Sequence, residues 1–520
     1  VSLTDKIIKN TFYTFLAQII GFLFPIILTP IIIRYIGDKE YGIYVLIMGF
    51  IGSFGLFDLS ISTSFVKFIS EFYNKNDFDK LNKYINTGYF FYVFFSIIAV
   101  ILGYLLTKPL LSLINIPEEL QAKSLYVFRV SLLIFFITTA FSIYVSILTS
   151  LQKMYIMNIS GLILGFLNAG AVVVVLMLGF GLEGLIWVQL CLVTISTVIN
   201  VLYTRKYLPQ IKINPSYFSK EPLKEMGKFG LQMQLSKLAS FASDKYDEFL
   251  LGYFYILNDV TYYNLGARIA RLGRFLPFQL VPQLAPAAAE LAAKNELEKL
   301  KQLFFDASKF LALLSFPIFL FIFVFSDEII LTWVGNGYEI SGFIIKILVI
   351  GQLINMTFSA PGNSIIPNTG VPKYQMFEGI IFLGVNLVLS FILIKNFGIT
   401  GAAYGNSTAF LIGSLFVFFT ALRFFRISKI RFFINNYLKI TVISFISAGI
   451  SYIINKLMIS HILLISSRIT GLLLLIINGV IFLIIFISLL KWARYLNKRE
   501  IELIKRFLKI GPLKVFSREM

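Results

Sequence analysis

The chain has 520 residues, of which 58% are hydrophobic and 14% charged, with a mean hydropathy of +0.83. A soluble chain is about half apolar and about a quarter charged, so this composition excludes a disordered protein, a disulfide scaffold and almost any ordinary soluble enzyme. The net charge of +19 lies between long apolar runs, which points to a cytoplasmic surface facing anionic lipid rather than to nucleic acid.

A helix needs about 20 apolar residues to cross the hydrocarbon core. Fourteen stretches qualify: 12–33, 41–65, 84–106, 124–148, 155–178, 182–203, 228–251, 260–282, 305–325, 341–365, 374–394, 401–422, 438–458 and 469–490. The first run lacks a small-residue cleavage pattern and is read as a span that stays. Between the sixth and seventh, Thr204–Lys224 is polar, and Pro209, Pro215 and Pro222 discourage a long helix there. The runs 228–251 and 260–282 are the most charged. An outer-membrane barrel would instead show short alternating segments. After the last run, residues 491–509 set Leu496, Ile501, Leu503, Ile504, Phe507 and Leu508 in a basic background. That fits a helix on the inner leaflet or a loosely held tail, and both stay open.

Loop charge gives the orientation. With the N-terminus in the cytoplasm, the inside loops, the span ends beside them and the tail hold 32 Lys and Arg, against seven outside: Arg34, Lys39, Lys108, Lys123, Lys395, Lys456 and Arg468. Both termini are therefore expected inside.

The chain also repeats itself at an offset of about 220 residues. Tyr35-Ile36-Gly37-Asp38 aligns with Tyr255-Ile256-Leu257-Asn258, and Phe180-Gly181-Leu182-Glu183-Gly184 with Phe397-Gly398-Ile399-Thr400-Gly401. Lys153-Met154-Tyr155 and Lys373-Tyr374 open the fifth and eleventh spans. The fold class expected is all-α: a polytopic membrane protein of about 14 transmembrane helices. Two six-helix lobes are related by a pseudo-twofold along the membrane normal, with two C-terminal helices added. The domains are then an N-terminal lobe at 1–203, a cytoplasmic linker at 204–227 and a C-terminal lobe at 228–424. Two additional helices at 425–490 and a basic tail at 491–520 complete them. A central cavity between the lobes, opened by rocking, is the natural consequence.

Ionisable groups inside the spans mark candidate sites, since each costs about 2.5–3.5 kcal/mol at bilayer centre. Asp58 lies in the second span and Arg129 in the fourth. The seventh carries Lys237, Asp244, Lys245, Asp247 and Glu248, and the eighth carries Arg268, Arg271 and Arg274 at three-residue spacing. The arginines form a stripe on one helix face. Either Asp244, Asp247 and Glu248 neutralise it, or one or two guanidiniums stay open to an anion, whose phosphate oxygens match the Arg fork. Pro25, Pro30, Pro277, Pro282, Pro361 and Pro367 interrupt spans, as in proteins with moving helices. Cys191 and His461 are the only cysteine and histidine, which removes a disulfide, a multi-cysteine metal cluster and nearly all His-based triad chemistry. No phosphate-binding G-x-x-x-x-G-K-[ST], H-E-x-x-H or G-x-S-x-G motif is present. A transporter is expected rather than an enzyme.

Ile36-Gly37-Asp38-Lys39-Glu40-Tyr41-Gly42-Ile43-Tyr44, Leu56-Phe57-Asp58-Leu59-Ser60-Ile61-Ser62 and Phe65-Val66-Lys67-Phe68-Ile69-Ser70-Glu71 resemble the opening of the polysaccharide biosynthesis and export flippase family. Asp247-Glu248-Phe249-Leu250-Leu251-Gly252 and the segment ending Gly266-Ala267-Arg268 resemble it too, although Thr261-Tyr262-Tyr263-Asn264 departs from the family's usual Val-Gly-x-Tyr. The resemblance spans roughly residues 5–425 and includes the multidrug exporters and the peptidoglycan lipid flippase. It implies a bilobal flippase of the inner or plasma membrane. Such a protein carries a polyprenyl-diphosphate-linked oligosaccharide from the cytoplasmic to the outer leaflet by alternating access, for surface polysaccharide assembly.

The implied anion-binding residues are Arg268, Arg271 and Arg129, then Arg274 and Lys237. The cavity or ion-coupling carboxylates are Asp58, Asp244, Asp247 and Glu248. No cofactor or metal is assigned, and Na+ or H+ coupling is left open. The partners implied are the lipid-linked oligosaccharide, membrane lipids and glycosyltransferases or a polymerase of the same pathway, with no nucleic acid. A cation-coupled multidrug exporter and a membrane scaffold of a polysaccharide synthesis complex are the alternatives. A cavity for cationic drugs should be acidic or aromatic rather than striped with arginine.

Overall fold

The structure, a computed structural model, describes residues 3–54, 61–227, 245–371, 373–461, 468–497 and 500. Every regular element among them is helical. Hydrocarbon offers no water to a backbone, so a spanning segment must satisfy its own N–H and C=O groups. Among the described residues, nine helices are long and apolar enough to cross a membrane. The chain forms two compact units, Val1–Thr261 and Tyr262–Met520.

The first unit contains α1 (Leu3–Phe54), α2 (Ile61–Asn74), α3 (Phe78–Ser112), α4 (Glu118–Ala140), α5 (Ser142–Ser150), α6 (Met154–Met177), α7 (Gly181–Tyr207) and α8 (Asp247–Phe254). α1 takes in the first expected span and most of the second. The loop between them is only a kink at Gly37, whose φ of 77° glycine adopts without a Cβ clash. Asp77 caps α3 by accepting the Lys80 N–H at 3.1 Å, and that donation holds its carboxyl below the ordinary range. Near the start of α4, Lys123 reaches Glu40 of α1 at 2.7 Å and Glu183 of α7 at 3.4 Å.

The polar stretch after α7 runs along α3. Two asparagines four apart on α3 hold it by its backbone. Asn82 accepts from the Lys212 N–H at 2.9 Å and donates to Gln210 O at 3.2 Å. Asn86 repeats the pattern two residues on, accepting from Asn214 N–H at 2.8 Å and donating to Lys212 O at 2.7 Å. The match is geometric: four helical residues rise about 6 Å, and two residues of extended chain advance about 6.6 Å. Thr87 then accepts from Ser219 N–H at 3.1 Å, and Tyr84 donates to Glu225. Leu208 and Met226, both fully buried, close the strap into the cluster of Phe65, Ile69, Ile85 and Ile147.

The second unit contains most of α9 (Leu257–Leu272), then α10 (Phe275–Phe278), α11 (Val281–Ala293), α12 (Leu297–Val324), α13 (Ser326–Trp333), α14 (Glu339–Ile354), α15 (Ala360–Ile365), α16 (Lys373–Phe424), α17 (Lys429–Phe433), α18 (Lys439–His461) and α19 (Arg468–Trp492). The expected span 260–282 is therefore three short pieces. A Cβ on Gly273 would lie 2.5 Å from the Phe319 ring of α12, and Pro277 and Pro282 each lack an N–H. The expected span 341–365 runs through a π turn at Asn355–Ser359. α16 joins the expected eleventh and twelfth spans across a kink at Gly398, φ 61°.

The sequence repeat has a local structural counterpart. Gly181 and Gly398 both take positive φ, 56° and 61°. Three residues on, a Cβ at Gly184 would lie 2.1 Å from the Val175 side chain, and one at Gly401 2.0 Å from Leu393 O. In each hairpin the first glycine turns the chain and the second lets the helices touch.

The last two helices are docked by buried amides. Asn478 of α19 donates to Asn455 of α18 at 2.7 Å, and Asn455 donates to Glu328 of α13 at 3.1 Å. Beyond α19, Glu500 receives Lys309 of α12 on both oxygens at 2.8 Å. Most of 491–509, read above as a surface helix or a loosely held tail, lies outside the described residues.

Candidate functional site

Arg129 sits at the twelfth position of α4, half-buried. Its neighbours Val127, Phe128, Val130 and Ser131 are buried. The guanidinium lies over the Tyr104 ring of α3, 4.6 Å from the centroid. Its Nε is buried without a hydrogen-bond partner, and no carboxylate among the described residues lies within ion-pair distance of it. A ring face compensates a desolvated cation only in part.

Arg268 and Arg271 lie three apart on α9, half-buried, with Arg271 in the last turn where a cation opposes the helix dipole favourably. Arg274 does not continue the stripe on one straight helix. It follows the Gly273 break, with its N–H on Arg271 O at 3.1 Å and its guanidinium 5.9 Å from the Phe278 ring. All three engage other groups. For Arg274, one such group is Glu378 of α16, which lies within its electrostatic reach.

Glu378 is a functional candidate that the sequence reading passed over. It accepts from Ser359 at 2.9 Å and from Asn363 at 3.0 Å. Asn363 also donates to Ser359, at 2.9 Å. The π turn ends at Ser359 and Pro361 follows, so the polar pair sits where the helix is locally rewound. The available signals are an acid at the fifth position of the apolar run 374–394 and an Asn between Pro361 and Pro367.

Of the carboxylates expected on the seventh span, Asp247 and Glu248 are 2% and 1% exposed on α8. Glu248 receives Lys245 at 2.8 Å. The lysine stem lies beside Gly49 of α1, and Phe249 packs against Phe50 with the rings tilted by 33° and centroids 4.5 Å apart. Asp58, Lys237 and Asp244 lie outside the described residues. Among those described, no group of three or more His, Cys, Asp or Glu could hold a metal.

This fold occurs in solved transporters. The lipid II flippase MurJ in an inward closed conformation matches with a TM-score of 0.70 at 16% identity, over 94% of this chain and 99% of that one. A multidrug resistance MATE family transporter in an inward-facing conformation matches with 0.68 at 15%, over 79% and 94%. The chain shares this all-α, multi-pass membrane architecture. It belongs to the family described as polysaccharide biosynthesis protein, whose profile matches residues 31–341. A Shigella flexneri protein described as a candidate O-antigen transporter is 21% identical over 415 residues, covering 79% of this chain and 96% of that protein.

Proposed function

We propose that this transporter flips a polyprenyl-diphosphate-linked oligosaccharide from the cytoplasmic to the outer leaflet of the inner or plasma membrane by alternating access, supplying surface polysaccharide assembly. Family membership and the likeness to an O-antigen transporter candidate support the substrate class. Arg129 is the observation that carries the chemistry: a half-buried guanidinium in a spanning helix, set on a ring face with no acid among the described residues at ion-pair distance. A diphosphate cannot cross hydrocarbon bare. Fixed guanidiniums replace its water, while the polyprenyl tail stays in lipid.

Arg268, Arg271 and Arg274 add positive field, and Lys237 is kept as a further contributor. The organisation into two six-helix lobes, at 1–203 and 228–424, with cytoplasmic termini belongs to the same proposal, supported by the loop charges and the matched glycine hairpins. Coupling to Na+ or H+ would use Asp58, Asp244 or Asp247. The multidrug reading shares the fold, but an uncompensated arginine opposes a cationic cargo.

The test is the purified protein in liposomes with a fluorescent lipid-linked oligosaccharide. The wild type should move it. Arg129→Gln should lower the rate about 10–100-fold, the worth of a lost charge-assisted bond, and Arg129→Lys should keep part of it. A folded Arg129→Gln protein that flips at the wild-type rate removes Arg129 from the mechanism. Binding without movement would favour the scaffold.

A further inference from the structure

At the end of α16 the chain makes a tight reversal into α17, and a cavity of about 630 Å³ opens beside it. Its walls carry Arg423, Arg426 and Lys429 against Phe416, Phe419 and Ile427. Charge patterning puts this loop on the cytoplasmic side. The three cations lie within seven residues, and among the described residues none has a carboxylate at ion-pair distance. Lys429 is held 5.0 Å from the Phe419 ring centroid. Phe419 is 45% exposed and Ile430 74% exposed, so the rim is apolar where a membrane would meet it.

The backbone adds an independent observation. Ile427 N–H bonds Leu422 O at 2.8 Å and Arg426 N–H bonds Arg423 O at 3.2 Å. These bonds close the helix with Arg426 in the left-handed region, φ 51°. Glycine is the unstrained residue at that position, and a side chain there costs conformational energy. An arginine at such a position spends local stability to put a guanidinium at the mouth of the cavity.

We propose that this groove binds the phosphodiester headgroup of an anionic phospholipid of the inner leaflet. Arg423 and Arg426 fork onto the phosphate oxygens and Lys429 supplies a third charge, with an acyl chain along Phe416 and Phe419. The volume lies in the range of small-ligand sites. A headgroup relieves the mutual repulsion of the three cations, which no carboxylate among the described residues does. The site is separate from the substrate reading and stands whether or not the glycan assignment does.

The discriminating variant is Arg426→Gly. In neutral detergent, with short-chain phosphatidylglycerol or phosphatidylcholine titrated in, the wild type should be thermally stabilised by phosphatidylglycerol and much less by phosphatidylcholine. Arg426→Gly should melt about 2 °C higher than wild type without lipid, because the strain is gone. It should need about tenfold more phosphatidylglycerol for the same stabilisation. Arg423→Gln should share the second effect without the first, and Lys220→Gln with Lys224→Gln, exposed cations elsewhere on the same expected side, should show neither. Wild-type lipid response in both Arg426→Gly and Arg423→Gln would overturn the site, as would equal loss in the lysine pair. Equal protection by inorganic phosphate would replace the lipid by a free anion and overturn the assignment too.

Discussion

Arg129 and Arg274 meet the same difficulty in different ways. A guanidinium at bilayer depth costs about 2.5–3.5 kcal/mol on insertion scales unless something replaces its water. Arg274 has Phe278 beside it and Glu378 within reach, whereas Arg129 has the Tyr104 ring and an unfilled Nε. The first arrangement sets an acid near the cation, and the second sets a ring face against it. Glu378→Gln should therefore destabilise the protein, by about 1–3 kcal/mol, because it leaves Arg274 less compensated and sets an amide against the Asn363 donor. Adding Arg274→Gln should return part of that loss. Thermal melts of the two single variants and the double variant give the coupling, and strictly additive losses would show that the charges do not interact.

Sequence could flag these ionisable groups but not pair them. Lys245, three residues from Glu248, meets it at 2.8 Å, a local pair that neither reading of the arginine stripe includes. Pairing depends on how each helix is rotated, which an apolar composition leaves nearly free.

At the scale of elements, the apolar runs located most helices, because length and hydropathy are what a bilayer selects. The breaks were legible where glycine or proline causes them: Gly273, Pro277 and Pro282 split the expected eighth span. The strap was not legible. Its anchors are the side-chain amides of Asn82 and Asn86, which read backbone groups and leave no pattern in the residues they hold.

Two predictions separate these kinds of control. Lys212→Pro removes the N–H that Asn82 accepts at 2.9 Å and should cost about 1–3 kcal/mol, since a buried acceptor is left unmade. Lys212→Ala should be near neutral, and equal melts for the two would show that the strap is not held by its backbone. On α16, Gly401→Ala drives a Cβ to 2.0 Å from Leu393 O, while Gly384→Ala meets nothing within 4 Å. Melting temperature should fall for the first and hold or rise for the second, by the equivalent of about 0.5–1 kcal/mol.

For the molecule as a whole, the net charge of +19 and its bias to the loops proposed as cytoplasmic set the electrical side of transport. A diphosphate headgroup leaving that side of an inside-negative membrane moves down the potential, gaining about 2.3 kcal/mol per charge per 100 mV. With the barrier midway, half of that appears in the rate, about sevenfold per net charge per 100 mV. Proteoliposomes with an imposed potassium diffusion potential measure this directly. Flipping should quicken when the compartment holding the substrate is negative and slow when the sign is reversed. The response should weaken in proportion if a cation travels with the headgroup, since the net charge moved is then smaller. A rate indifferent to both signs would mean full charge compensation during the step, and would turn attention from the arginines to the buried carboxylates Asp247 and Glu248 as carriers of the balancing cation.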